Sequence, residues 1–137
     1  MGVHLDYDDA NKIMRISADG VMTDEALLNG YSALRTCNAS YSPSFCIMDY
    51  TKVTKVALSN KGIRSLAKEP PALSIDRLQV TVVSEQLMFG FARMFQALSY
   101  ETRPNLRVVR SLDEALGLIG VTSPSFSPIY FSLPKSA

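Results

Sequence analysis

Polar and apolar residues alternate from Val3 to Tyr7, with Val3, Leu5 and Tyr7 on one face and His4, Asp6 and Asp8 on the other. A period of two is that of a half-buried β-strand. Asp8-Asp9-Ala10-Asn11 is a turn cluster. Lys12 to Ala18 alternates again with Met14, Ile16 and Ala18 inward, so these segments predict a hairpin. The period then changes. Thr23 can cap a helix, and Asp24 and Glu25 place negative charge in its first turn, where the helix dipole favours it. Ala26, Leu27, Tyr31 and Leu34 recur at helical spacing to about Arg35, and Asn38 to Pro43 reads as a loop.

Phe45 to Tyr50 and Leu78 to Val83 are nearly continuous apolar runs, the pattern of strands covered on both faces. Between them, Ser59 to Lys68 reads as a short helix with Ile63, Leu66 and Ala67 inward, stopped by Pro70-Pro71. Ser84 can cap the next helix, Glu85 to about Tyr100. On that helix Leu87, Phe91, Met94, Phe95 and Leu98 form a broad apolar stripe assigned to the core. Leu106 to Val109 is a short strand, and Ser111 with Glu114 is a capping box opening a last helix that ends at Gly120. The order β-β-α-β-α-β-α-β-α predicts an α/β fold with an open mixed sheet. It makes residues 1–120 one domain and 121–137 an extended tail. Core positions are expected at Met14, Ile16, Phe45, Ile47, Leu78, Val80, Val82, Phe91, Phe95 and Leu98.

The tail carries Pro124, Pro128 and Pro134, which exclude a continuing helix. Phe126, Ile129, Tyr130, Phe131 and Leu133 are too apolar for a disordered segment. An extended segment packed on its own domain, or exchanged with a second subunit, is therefore expected from Phe126 to Leu133.

The chain has 137 residues, 47% hydrophobic and 20% charged, and a formal net charge of +1. That is the size and composition of one globular domain. It offers no global attraction to nucleic acid or an anionic membrane. No apolar run approaches the roughly 20 residues that span a bilayer, and the polar, acidic Met1 to Lys12 is not a signal peptide. The expected location is the cytoplasm, with Cys37 and Cys46 as reduced, packed thiols.

Catalytic and metal motifs are absent from the sequence. The one histidine, His4, shares its strand face with Asp6 and Asp8, an arrangement typical of solvated side chains. No C-x-x-C, H-x-x-x-H, G-x-G-x-x-G or P-loop spacing occurs. No metal and no cofactor are expected.

Two segments stand out. Asp49 ends a buried strand, and a short connection through Thr51, Val53, Val56 and Leu58 leads to a helix capped by Ser59. A hydroxyl at that position is either a plain cap or a phosphorylation switch. The second segment is Leu87 to Leu98, LMFGFARMFQAL, whose outer stripe carries Phe89, Arg93, Gln96 and Tyr100. Aromatic residues and Arg are enriched at interface anchors, so this stripe is either a contact surface for a partner or homodimer, or is covered by a neighbouring loop or the tail.

With these segments the chain resembles the STAS domains of anti-anti-sigma factors, and more closely the SpoIIAA-like bacterial family. The likeness spans roughly residues 3–120. It is most specific at Gly90-Phe91-Ala92-Arg93-Met94-Phe95-Gln96-Ala97-Leu98 and at Arg107-Val108-Val109-Arg110-Ser111-Leu112-Asp113-Glu114-Ala115-Leu116. It implies an open sheet with helices mainly on one face, no enzymatic activity, and a regulatory or protein-interaction role. The STAS switch is a Ser in an Asp-Ser-x-Gly-like loop, phosphorylated by a partner kinase. Aligned on Asp49, that loop falls at Ala57-Leu58-Ser59-Asn60, where Ala57, Leu58 and Asn60 replace the pattern and Ser59 remains as a vestige. The SpoIIAA-like branch also resembles Sec14-type lipid-binding domains in fold. That makes a carrier or sensor of a small apolar, lipid-like ligand the alternative, with Met14, Met48, Met88 and Met94 as candidate pocket residues.

Overall fold

A computed structural model of the chain describes residues 2–130. The alternating N-terminal segments form β1 (Gly2–Asp8) and β2 (Ile13–Thr23), an antiparallel pair with Leu5 opposite Ile16. Asp8 closes their turn: its carboxylate accepts from Asn11 N and Asn11 Nδ2, and also from Ser125 N in the tail. These bonds hold the carboxyl below the usual range against the opposing effect of burial. Asp8 is thus buried, not solvated beside His4 as expected.

The next elements are α1 (Asp24–Tyr41), β3 (Phe45–Ala57), α2 (Asn60–Ala67), β4 (Leu78–Val82), α3 (Gln86–Leu98), β5 (Leu106–Val109), α4 (Leu112–Ile119) and β6 (Ser127–Ile129). The sheet has six strands in the order β5-β4-β3-β2-β1-β6. β2 to β5 run parallel, and β1 is antiparallel to both its neighbours. The α/β class and the mixed sheet are as expected. The order of elements differs through the tenth element, β6, which joins the sheet from the tail by pairing Leu5 with Ile129.

Alternation sorts the strand residues into two cores. On one face Met14, Ile16, Cys46, Met48 and Leu106 pack under α1, α2 and α3. On the other, Ile13, Ile47, Val80 and Val82 pack against Ala115 and Leu116 of α4. Among the expected core residues, Met14, Ile16, Ile47, Val80, Val82 and Phe95 are buried. Phe45, Leu78 and Phe91 are half-buried, and Leu98 is exposed.

Several boundaries fall elsewhere than expected. α1 continues through Asn38, which lies on its buried face with Leu27, Tyr31 and Leu34, and it ends at Ser42 in the left-handed region (φ 49°). Asp49 does not end a strand. β3 runs on to Ala57 beside a lengthened β2, beyond the last pairing with β4 at Val82, so the segment read as a connection is a two-stranded ribbon. Shifts of register near Asp19 and Gly20 (φ 79°) blur its period of two.

The tail crosses the domain surface. Phe126 is half-buried with the Arg15 guanidinium 4.1 Å from its ring centroid, and Arg15 is also paired with Asp6 (Nε–Oδ1 2.9 Å). Ile129 packs against the first core, whereas Tyr130, expected to pack, is 93% exposed. Phe131 and Leu133 lie outside the described residues.

Candidate functional site

Glu85, not Ser84, caps α3: its two carboxylate oxygens accept from Leu87 N (3.0 Å) and Met88 N (2.7 Å). These bonds keep the carboxyl below its usual range. The buried line of the helix is Met88, Ala92 and Phe95, continued by Ser99. The apolar stripe assigned to the core is turned away from it. Phe91 and Met94 are half-buried, and Leu87 and Leu98 are 54% and 49% exposed. The helix is apolar on two adjoining arcs, and the arc with small Ala92 at its centre is the one that seats on the sheet.

The stripe expected to face outward is divided. Phe89 is half-buried beneath Arg110, whose guanidinium carbon stands 3.7 Å from the ring centroid. Gln96 turns to the sheet edge and donates Nε2–H to Leu106 O (2.8 Å). Only Arg93 and Tyr100 are exposed, and Arg93 has no hydrogen-bond or ion-pair partner among the described residues. Arg93, Gln96 and Tyr100 border a surface groove of about 450 Å³ with Pro104 and Arg107.

Beneath α3 lies a small, partly open cavity of about 30 Å³. Its roof is apolar: Leu27 of α1, Ile63 and Leu66 of α2, and Met88, Ala92 and Phe95 of α3. Its floor is the sheet, where Met48 and Tyr50 of β3 lie beside Gln79 and Thr81 of β4. Met48 and Met88 thus belong to the wall. Met14 is buried in the core and Met94 is half-buried on α3, and neither lines the cavity. Parallel pairing sets Met48 opposite Thr81 and Cys46 opposite Gln79, so the polar floor residues share one sheet face. Gln79 is 2% exposed and Thr81 6%. No hydrogen bond within the protein engages the side chains of Tyr50, Gln79 or Thr81 among the described residues. Burial pushes the Tyr50 phenol up, so it is neutral throughout the physiological range.

Tyr31, at the cavity edge, is fully engaged. Its hydroxyl donates to Pro70 O (3.1 Å) and accepts from Ala72 N (2.8 Å) and from Arg103 Nη2 (2.7 Å). Arg103 is 1% exposed, with its guanidinium carbon 4.9 Å from the Phe95 ring centroid. Sequence reasoning missed this arginine and the polar floor. The floor has a signal in the chain, because Gln79 and Thr81 interrupt an otherwise apolar buried strand. Nothing local marks Arg103.

The Ser59 loop has a different construction. Ala57 ends β3, Leu58 is half-buried against the core, and Asn60 opens α2. Ser59 is the N-cap, with Oγ accepting from Gly62 N (3.0 Å) and donating to Asp24 Oδ2 (2.6 Å). Asp24 Oδ1 also accepts from Ser59 N (3.0 Å). Asp24 therefore sits in the first turn of α1 and on the N-terminus of α2 together, and the Ser59 bonds lower its pKa. A Cβ on Gly62 would run into the Asp24 carboxylate, so any larger residue there displaces that side chain.

His4 lies 3.4 Å from Asp19 of β2, with both side chains exposed, and not beside a nucleophile. Among the described residues, no group of three or more His, Cys, Asp or Glu could hold a metal ion. Cys37 and Cys46 are free, and burial pushes the Cys46 thiol up to about 12. Among the described residues no helix is long and apolar enough to cross a membrane. No protein-family model, no curated protein and no solved structure matches the chain.

Proposed function

We propose that the protein is a non-enzymatic regulatory module of the STAS-like kind, working in the cytoplasm through contact of the outer flank of α3 with a protein partner or a second copy of itself. The observation that carries this reading is the placement of apolar surface on α3. Leu87 and Leu98 stand three turns apart on one stripe, each about half exposed, with Phe91 and Met94 between them. Tyr100, 67% exposed, and the unengaged Arg93 lie on the opposite flank of the buried line, beside Pro104 and Arg107. Solitary exposed leucines are ordinary, but four apolar residues in one continuous stripe make a patch of the kind that marks contact surfaces.

The Ser59 loop supports regulation by contact, not by phosphorylation at that position. A phosphate on Ser59 would stand against the Asp24 carboxylate that already occupies the α2 N-terminus, and like charges there repel. Affinity isolation from the producing cell compares the wild type with the Leu87→Glu/Leu98→Glu variant. The wild type should carry a stoichiometric partner, which a second copy of the chain would also satisfy. The variant should lose it with its melting temperature unchanged. Equal recovery from both proteins, or no partner on either, contradicts the proposal.

A further inference from the structure

We infer that the outer edge of β5, with the groove between it and α3, is a docking site for an extended acidic segment of a partner protein, held as an added strand. The inference stands apart from contact through Leu87 and Leu98, which lie on the other flank of the buried line of α3.

β5 ends the sheet on the side away from β6. Gln79 N donates to Asn105 O (3.1 Å) and Val83 N to Val109 O (3.0 Å), so the backbone groups of Asn105, Arg107 and Val109 point to β4. Those of Leu106 and Val108 alternate to the outer edge. Leu106 is provided for: its carbonyl accepts from Gln96 Nε2 and Arg107 Nη1, and its N–H donates to Arg103 O. The N–H and C=O of Val108 have no partner among the described residues. The helix supplies the second wall. Phe89 lies beneath Arg110 and Gln96 is tied to Leu106, so Arg93, between them on α3, faces the stretch of edge from Leu106 to Arg110. Arg93 and Arg107 both line the groove of about 450 Å³, and no acidic side chain lines it among the described residues. Arg93 is unengaged, and Arg107 donates only to the backbone carbonyls of Pro104 and Leu106. An unpaired edge is a template for another strand, and its backbone groups accept any sequence. The two guanidiniums set the sign of the incoming side chains, since carboxylates are their natural complement. A nucleic acid would suit the charge but has no peptide group to pair with Val108. A second β5 edge would suit the pairing but would bring Arg93 and Arg107 toward their own copies.

Selection of a phage-displayed library of random linear peptides on the full chain tests the assignment. The wild type should enrich sequences with Asp or Glu at alternate positions. A synthetic peptide of the leading sequence should bind Arg93→Gln/Arg107→Gln about ten-fold or more weakly, the loss expected for a charge-assisted hydrogen bond, with the melting temperature unchanged. Selection on Arg93→Glu/Arg107→Glu should enrich Lys and Arg in place of Asp and Glu. Hydrogen exchange of wild-type backbone amides reads the edge directly and holds whether or not either variant folds. The Val108 N–H should exchange fast in the free protein and slowly with the peptide bound, whereas Arg107 and Val109, paired with β4, are protected in both. Four results would overturn the inference. One is no enriched sequence. Another is enrichment without acidic residues, or equal binding to the Gln variant, which makes the arginines guards of the edge against pairing. The third is unaltered exchange at Val108 with the peptide bound. The fourth is displacement of the peptide by an equal concentration of oligothymidylate, which assigns the arginines to nucleic acid.

Discussion

Replacing Arg103 with Met removes a buried guanidinium while preserving most of the aliphatic volume. Arg103 Nη2 donates to Tyr31 Oη at 2.7 Å and to Glu69 O at 2.8 Å, and Nη1 donates to Ala67 O at 3.4 Å. Among the described residues no carboxylate pairs with it; the Glu69 side chain lies 3.4 Å from Arg35 instead. The charge is balanced by carbonyls at the end of α2, where the helix dipole is negative, and by the Phe95 ring. Met would leave the Glu69 and Ala67 carbonyls without these donors, at about 1–3 kcal/mol for each group left buried and unsatisfied. Relief from burying a charge offsets part of that, so the expected net loss is about 2–4 kcal/mol. Arg103→Lys should lose a similar amount, because one ammonium cannot serve Tyr31, Ala67 and Glu69 in the fork geometry that guanidinium provides. Urea unfolding followed by circular dichroism measures both variants. A Met variant within about 0.5 kcal/mol of the wild type would show that desolvation cancels the network, and would refute this reading of Arg103 as the tie between α1, the end of α2 and the segment after α3.

The register of α3 predicts that Phe95→Ala costs about 3–5 kcal/mol by opening a cavity, while Leu98→Glu costs under about 1 kcal/mol; denaturant melts of the pair separate this register from one that buries Leu98. Ser59→Ala should cost about 0.5–2 kcal/mol as a lost cap, and Gly62→Ala should cost at least as much by displacing Asp24, both read by thermal denaturation. Asp24 has a lowered folded pKa, so its contribution is present above the unfolded value of about 3.9 and is lost as pH falls through the lower folded value. Asp24→Asn should therefore destabilise at pH 7 and flatten the acid limb of the stability profile below about pH 4. Truncation after Gly120 removes β6, Phe126 and the Ser125 N–H bond to Asp8, and should lower the melting temperature and bare the β1 edge. An unchanged melt would show the tail to be dispensable.

Where local signals and tertiary packing agree, the chain was legible. The alternation of Val3 to Tyr7 and Lys12 to Ala18 became β1 and β2, and Ser59, Ser111 and Gly120 became helix ends as their chemistry suggests. Two kinds of feature escaped. One is the choice between equivalent faces. α3 carries apolar residues on adjoining arcs, so periodicity left its seat open to error, and Phe89 and Gln96 moved inward while Leu87 and Leu98 moved out. The other is structure made by distant partners. β3 continues past Asp49 because the lengthened β2 pairs with it, β6 is a strand of three residues that exists through its ladder with β1, and Arg103 is buried by residues far away in sequence. Of the four methionines offered as pocket residues, Met48 and Met88 line the cavity under α3 and Met14 and Met94 do not. The polar floor of that cavity was not legible, because Gln79 and Thr81 were absorbed into an apolar strand pattern that the sheet face then divided.

The measurement that bears most directly on the proposed role is photo-crosslinking in the producing cell, with the reactive side chain placed in turn at Leu87, Leu98 and Leu118. Leu118 is 50% exposed on α4, across the sheet from α3, and serves as the control for equal exposure on the other face. Contact through α3 predicts one discrete adduct, with another protein or with a second copy of the chain, from Leu87 and Leu98 and none from Leu118. Adducts from Leu118 alone, or from no position in a protein that remains folded, would contradict it.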